Sequence, residues 1–299
     1  MSTISRVGVV GLGSMGMGTA LSLIRAGFDT YGFDLNADAC ARLAEAGAIA
    51  SGPSALPYVG QLDALLLLVV NGAQVESVLF GEQGVAAAMR PGSLVVVCST
   101  MAATQTRAIH QRLAELGLEM IDAPISGGAA KAAEGRLSVM ASGKPALFEQ
   151  AQGLFDAIAE KLYVIGPDIG QGSTVKTIHQ LLAGVHIAAA AEAMAMAAKA
   201  DIPLELMFDV VTHSAGNSWM FENRVPHILD GDYSPRSSVD IFVKDLGIVL
   251  DSAHQMKFPL PLASAAHQMF LAASNEGFGR EDDAAVVKIF KGIQLPEEK

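Results

Sequence analysis

Arg6-Val-Gly-Val-Val-Gly11-Leu12-Gly13-Ser14-Met15-Gly16 carries an apolar strand pattern straight into a glycine turn, and a helical pattern from Met15 to Arg25 follows. A G-x-G-x-x-G spacing alone says little in a chain with 30 glycines. Between a buried strand and a helix, with an acid closing the next strand, it becomes a dinucleotide-binding fingerprint. Gly11 permits the tight turn, Gly13 lets the backbone approach a pyrophosphate, and Gly16 lets the helix pack on the strand. The amides around Leu12, Ser14 and Met15 and the positive helix end would face the phosphates. Asp34 closes the next strand, Thr30-Tyr-Gly-Phe33. Its carboxylate can accept both hydroxyls of an adenosine ribose and would repel a 2′-phosphate, so the expected cofactor is NAD rather than NADP. The competing reading is a glycine turn that binds nothing.

Outward from this segment the first half alternates strand and helix. Strands are expected near 6–11, 29–34, 63–70, 93–98, 118–122, 137–141 and 161–165, with helices such as 37–46, 102–116 and 145–159 between them. That alternation predicts a parallel sheet covered on both faces, with ligands at the carboxyl ends of its strands. From about Gly172 only helical periodicity remains, punctuated by Pro203, Pro226, Pro235, Pro259 and Pro261. The predicted domains are 1–167 and 168–299, joined by a long helix starting near Ser173. The charged tail from Leu295 is expected to fray.

The 299 residues suit two domains, and the formal charge of −11 without a basic cluster argues against nucleic acid or anionic membrane as partners. Cys40 and Cys98 lack metal-ligand or disulfide spacing and read as buried thiols in a reducing compartment. Gly11 lies too near the start to leave room for a signal peptide. The apolar run at 62–70 is too short to span a bilayer, and Ala183–Ala200 carries His186, Glu192 and Lys199 as a packed internal helix would. The expectation is a cytoplasmic protein.

Further segments carry chemistry. Val70-Asn71 and Ser99-Thr100 end strands of the nucleotide half and can line the cofactor cleft; either Ser99 or Thr100 can equally cap the next helix. Asp122-Ala-Pro-Ile-Ser126-Gly127-Gly128 exposes consecutive N–H groups that suit a carboxylate, or forms a plain glycine turn. Lys131, a helical turn beyond, adds a charge there or is solvated. In Gly170-Gln-Gly172-Ser-Thr-Val-Lys176-Thr-Ile-His179-Gln180, Lys176 and His179 share one helix face. Oxidising an alcohol without a metal needs a base, and lysine serves when burial and a positive ring weaken its hold on the proton. Otherwise Lys176 is a surface lysine beside a structural histidine. Lys244-Asp245 either reaches the cofactor or is a solvated pair, and Gly216-Asn217-Ser218-Trp219 walls a polyol pocket or caps a helix.

In their order along nearly the whole chain, these segments resemble the β-hydroxyacid dehydrogenase family: Gly11-x-Gly13-x-x-Gly16, Ser99-Thr100, Asp122 to Gly128, Gly170-x-Gly172-x-x-x-Lys176 and Lys244-Asp245. The resemblance implies an α/β Rossmann-type dinucleotide-binding domain, a long interdomain helix and an all-α second domain that builds a homodimer or homotetramer. It implies Lys176 as catalytic base, Ser126, Gly127 and Gly128 as the carboxylate seat, and Lys244 beside the nicotinamide.

His179, where the family usually has asparagine, Lys131, where it usually has a small residue, and Gly216 to Asn223 are similar to a branch acting on L-threonate. That branch oxidises C2 of the four-carbon acid, and His179, with Asn217 or Trp219, would read the distal hydroxyls. The function expected is therefore NAD-dependent oxidation of a small hydroxy acid, L-threonate first. The alternatives are 3-hydroxyisobutyrate oxidation, reduction of tartronate semialdehyde or succinic semialdehyde, and a non-catalytic dinucleotide-binding protein.

Overall fold

The computed structural model describes residues 4–298. They fall into two compact units, Met1–Lys176 and Thr177–Lys299. The first unit opens with β1 (Arg6–Val10), α1 (Ser14–Arg25), β2 (Asp29–Phe33), α2 (Ala37–Glu45) and β3 (Ala50–Gly52). It continues through β4 (Ala64–Leu67), α3 (Gly72–Phe80), β5 (Leu94–Val97), α4 (Ala103–Glu115) and β6 (Glu119–Asp122). It then runs through β7 (Ile125–Ser126), α5 (Gly128–Glu134), β8 (Leu137–Ser142), α6 (Pro145–Gln150), α7 (Gln152–Ile158) and β9 (Ala159–Gly166). The helix α8 (Gln171–Lys199) follows, and the division between the units falls within it.

The sheet order is β3-β2-β1-β4-β5-β6-β8-β7, with β9 beside β8. Neighbouring strand residues face opposite cores. Val7, Val9, Leu66 and Val96 pack with Leu23, Leu43 and Phe155 on one side, while Val10, Leu65, Leu67 and Val95 pack with Val75, Ile109 and Leu113 on the other. Strands buried on both faces explain their unbroken Val/Leu runs. The first six strands are parallel, but β8 runs antiparallel to β6 and β7, and β9 follows β8. The expected all-parallel sheet is therefore mixed at this edge. The seven-residue α5 advances about 10 Å, too little to return the chain to the far edge of the sheet, so β8 enters in the opposite sense.

Two short strands, β3 and β7, went unread because three and two residues carry no periodicity. The single helix expected over 145–159 is two helices meeting at Ala151.

In the second unit α8 is followed by α9 (Leu204–Thr212), α10 (Trp219–Asp230), α11 (Val239–Gln255) and α12 (Pro261–Ala273). α8 is long and apolar enough to cross a membrane by length and composition. Its Ala183, Ile187, Ala191 and Ala195 instead pack against Phe242, Leu246 and Phe270, and Ala190, Met194 and Ala197 pack against Leu204, Phe221 and Val225. A helix buried on two sides needs apolar residues nearly all round, which accounts for its composition. The tail is not frayed through Glu298. Leu295 packs on the core and Glu298 pairs with Lys288; Lys299 lies outside the described residues.

Candidate functional site

The glycine turn sits where β1, flanked by β2 and β4, gives way to α1, at the point where strand order reverses. Gly11 has φ +92° and would bring a Cβ within 2.8 Å of the Leu68 carbonyl. A Cβ on Gly16 would overlap the Gly11 carbonyl oxygen. Gly13 differs, since a Cβ there would meet nothing within 4 Å. The protein's own packing does not require that glycine, and the space over it is what an approaching pyrophosphate needs.

Asp34 follows β2 and accepts from Leu12 N–H at 2.6 Å and Asn36 N–H at 2.8 Å. These bonds hold the carboxylate at the rim of a cavity of about 460 Å³ lined by Leu12, Gly13, Ser14, Asn36 and Arg42. The residues present therefore fit a dinucleotide, with the helix end at its phosphates and Asp34 at its ribose. Arg42 had no part in the sequence reading; it enters because α2 starts beside Asp34.

The other strand-end residues behave differently from one another. Asn71 accepts from Gln74 N–H and caps α3, and Val70 N–H donates to Gln74 Oε1. Ser99 Oγ donates to Leu67 O at 3.2 Å. Neither Ser99 nor Thr100 caps α4, whose N-cap is Ala102, so that alternative reading is corrected.

Ser126 ends β7, and Gly127 and Gly128 follow with φ +137° and +75°, conformations that explain two glycines in sequence. The helix they open, α5, lies backbone to backbone on α1. A Cβ on Gly18 would come 2.5 Å from Ala133 N, and Ser22 Oγ donates to Ala132 O at 3.0 Å. The Ser126–Gly128 turn is thus fastened to α1. Lys131 pairs with Glu160 at 3.3 Å and is 39% exposed.

Asp122 organises the start of α8, a role that its motif does not signal. Its carboxylate accepts from Gly170 N–H (3.0 Å), Ser173 N–H (2.9 Å), Ser173 Oγ (2.7 Å) and Ser142 Oγ (3.2 Å). Burial raises its pKa despite these donors. Gly172 packs so tightly that a Cβ would lie 2.5 Å from Met140 O and 2.9 Å from Asp122 O. Lys176, one turn on, is 6% exposed. Cys98, buried beside Asp122, has its thiol pushed up to about 12 by burial and by that charge, so it is not a nucleophile.

In the second unit, His179 Nδ1 lies 2.9 Å from Gln180 Oε1, and Gln180 Nε2 donates to Asp245 Oδ2 at 2.5 Å. Asp245 Oδ1 is 2.8 Å from Lys244 Nζ. His179 and Lys244, distant in sequence, are joined through Gln180 and Asp245. Asn217 Nδ2 donates to Glu222 while its Oδ1 is buried without a partner, Ser218 caps α10, and Trp219 is 57% exposed.

Residues 6–166 match the family described as the NAD-binding domain of 6-phosphogluconate dehydrogenase, and residues 170–290 match the NAD-binding family of NADP-dependent 3-hydroxyisobutyrate dehydrogenase. The chain is 61% identical to L-threonate dehydrogenase of Escherichia coli strain K12 over 98% of its length and 97% of that protein. It is 56% identical to the enzyme of the same name from Cupriavidus necator, over 97% of each chain. A crystal structure described as 3-hydroxyisobutyrate dehydrogenase from Salmonella typhimurium superposes with a TM-score of 0.92 at 60% identity, covering 96% of this chain and all of that one. Both domain matches and the identity to these relatives place the chain: it belongs to the β-hydroxyacid dehydrogenase family of NAD-dependent oxidoreductases related to 3-hydroxyisobutyrate dehydrogenase.

Proposed function

We propose that this chain oxidises L-threonate at C2 to 2-dehydro-L-erythronate. The observation that carries the reading is 61% identity, across 98% of the chain, to an enzyme of that name. Ser126 and the amides of Gly127 and Gly128 hold the substrate carboxylate. Lys176 takes the hydroxyl proton, its burial keeping bulk water from competing for it. Bound NAD supplies the hydride acceptor. Lys244 stands on its nicotinamide side, with Val70, Asn71 and Thr100 along the cleft. His179, with Asn217 or Trp219, reads the distal hydroxyls. Lys131, on α5 beside the Ser126–Gly128 turn, adds positive charge near the carboxylate, its exposed ion pair with Glu160 being weak.

In this reading 1–167 is the cofactor domain and 168–299 the substrate and oligomerisation domain of a cytoplasmic homo-oligomer. Exposed Ile178, Leu182 and Met196 along α8, with Leu206 and Val210 on α9, support association.

The test is initial rates of NADH formation on L-threonate, D-erythronate, D-glycerate and 3-hydroxyisobutyrate, with NADP in parallel. Turnover confined to L-threonate with NAD is expected. Preference for glycerate or 3-hydroxyisobutyrate would overturn the substrate assignment.

A further inference from the structure

Gln180 bridges two side chains whose chemistry leaves it one orientation. It is 7% exposed, and Asp245, to which its amide nitrogen donates, is 2% exposed and ion-paired with Lys244. A carboxylate accepts hydrogen bonds and donates none. The Gln180 NH₂ must therefore face Asp245, and its carbonyl oxygen must face His179 Nδ1, 2.9 Å away. That oxygen also only accepts, so Nδ1 carries the hydrogen. In a neutral imidazole the other nitrogen, Nε2, is then a lone-pair acceptor. The direction of these two bonds follows from the Lys244–Asp245 ion pair at the far end, and the His179 ring is exposed.

We propose that Gln180 and Asp245 are positioning residues that lock His179 as its Nδ1–H tautomer, so that the ring recognises a substrate hydroxyl by accepting its hydrogen bond at Nε2. The ligand of the ring rests on the proposed function above; the tautomer does not. The lock adds a selection rule. A polyhydroxy acid with a hydroxyl donor beyond the oxidised carbon satisfies Nε2, whereas the matching deoxy acid leaves the acceptor unpaired. A histidine free to exchange tautomers would serve donors and acceptors alike and select less sharply.

The experiment is ¹⁵N NMR of the full-length, histidine-labelled protein at alkaline pH, with His179→Gln assigning the resonance. A single Nδ1–H species is expected in the parent. In the isosteric Asp245→Asn, whose amide can meet Gln180 either way round, a mixture of tautomers is expected, and Gln180→Leu removes the Nδ1 acceptor. In the kinetic arm Gln180→Leu raises KM for L-threonate roughly tenfold. Its kcat changes less than about twofold, as fits a contact made equally before and during reaction.

An Nε2–H or mixed His179 in the parent, or an unchanged tautomer in both variants, overturns the lock. A locked tautomer with unaltered KM overturns its role in recognition. A locked tautomer in a protein that ignores L-threonate removes the substrate assignment and leaves the lock standing.

Discussion

The turn at Gly11–Gly16 and the turn at Gly166–Gly172 are built alike: a strand, a glycine-rich loop, then a helix whose first N–H groups lack partners within the helix. Their fates are opposite. At α1 the space over Gly13 is open and the nearby carboxylate, Asp34, stands to one side on Leu12 N–H. At α8 the carboxylate of Asp122 fills the helix start itself, taking Gly170 N–H and Ser173 N–H, while Gly172 N–H donates to Ser142 Oγ. One positive helix end is left for a ligand and the other is neutralised from within. Of these two turns, the one open to a ligand is the one whose helix start holds no side-chain anion.

Four experiments strain this contrast, in falling order of effect. The internally anchored helix carries Lys176, and Lys176→Ala should lower kcat roughly 10²- to 10⁴-fold with an unchanged circular dichroism spectrum; near-parental turnover would remove the lysine from the mechanism. Gly172→Ala should cost about 1–3 kcal/mol in urea unfolding through overpacking, whereas Gly13→Ala should shift the same midpoint hardly at all and raise KM for NAD instead. Equal destabilisation of both variants would erase the distinction. Asp34→Ala should narrow the preference for NAD over NADP by roughly 10- to 100-fold, the worth of charged hydrogen bonds to ribose.

The smallest effect concerns pH. Asp63, ahead of β4, is pushed up by burial. The N–H groups of Arg6 and Ser5 and the guanidinium groups of Arg6 and Arg90 outweigh that, so its pKa is well below the usual carboxylate range, opposite in direction to Asp122. A depressed folded pKa gives stability that is complete above the unfolded value and is lost as pH falls. Urea midpoints measured from pH 7 down to pH 3 should fall on the acid side for the parent and fall less for Asp63→Asn. Identical slopes would show that Asp63 carries no acid-side stability.

Most of the nucleotide half was legible because its signals are local. Alternating β and α patterns, Gly11 to Gly16 and Asp34 each lie within one element or at its end. The sheet's antiparallel edge was not, because strand direction there depends on how far α5 carries the chain, and its sequence gives length but not destination. Asp122 was visible as a residue and invisible as an anchor, since its partners Ser142, Gly170 and Ser173 come from β8 and the start of α8. The link between Gln180 and Asp245 is likewise invisible in sequence, because the bond that joins them closes over 65 residues of chain. What sequence conveys poorly is the polar contact between distant segments.

The backbone contact between α1 and α5 sets a ruler. Gly18 and Ala132–Ala133 meet through peptide groups, so the distance from the Gly11–Gly16 turn to the Ser126–Gly128 turn is fixed by main chain and not by side chains that drift under mutation. On the proposed mechanism, a descendant of this protein can exchange the residues that read the far end of a hydroxy acid while the spacing between cofactor and carboxylate stays in calibration. Enlarging Gly18 would be the way to lose it.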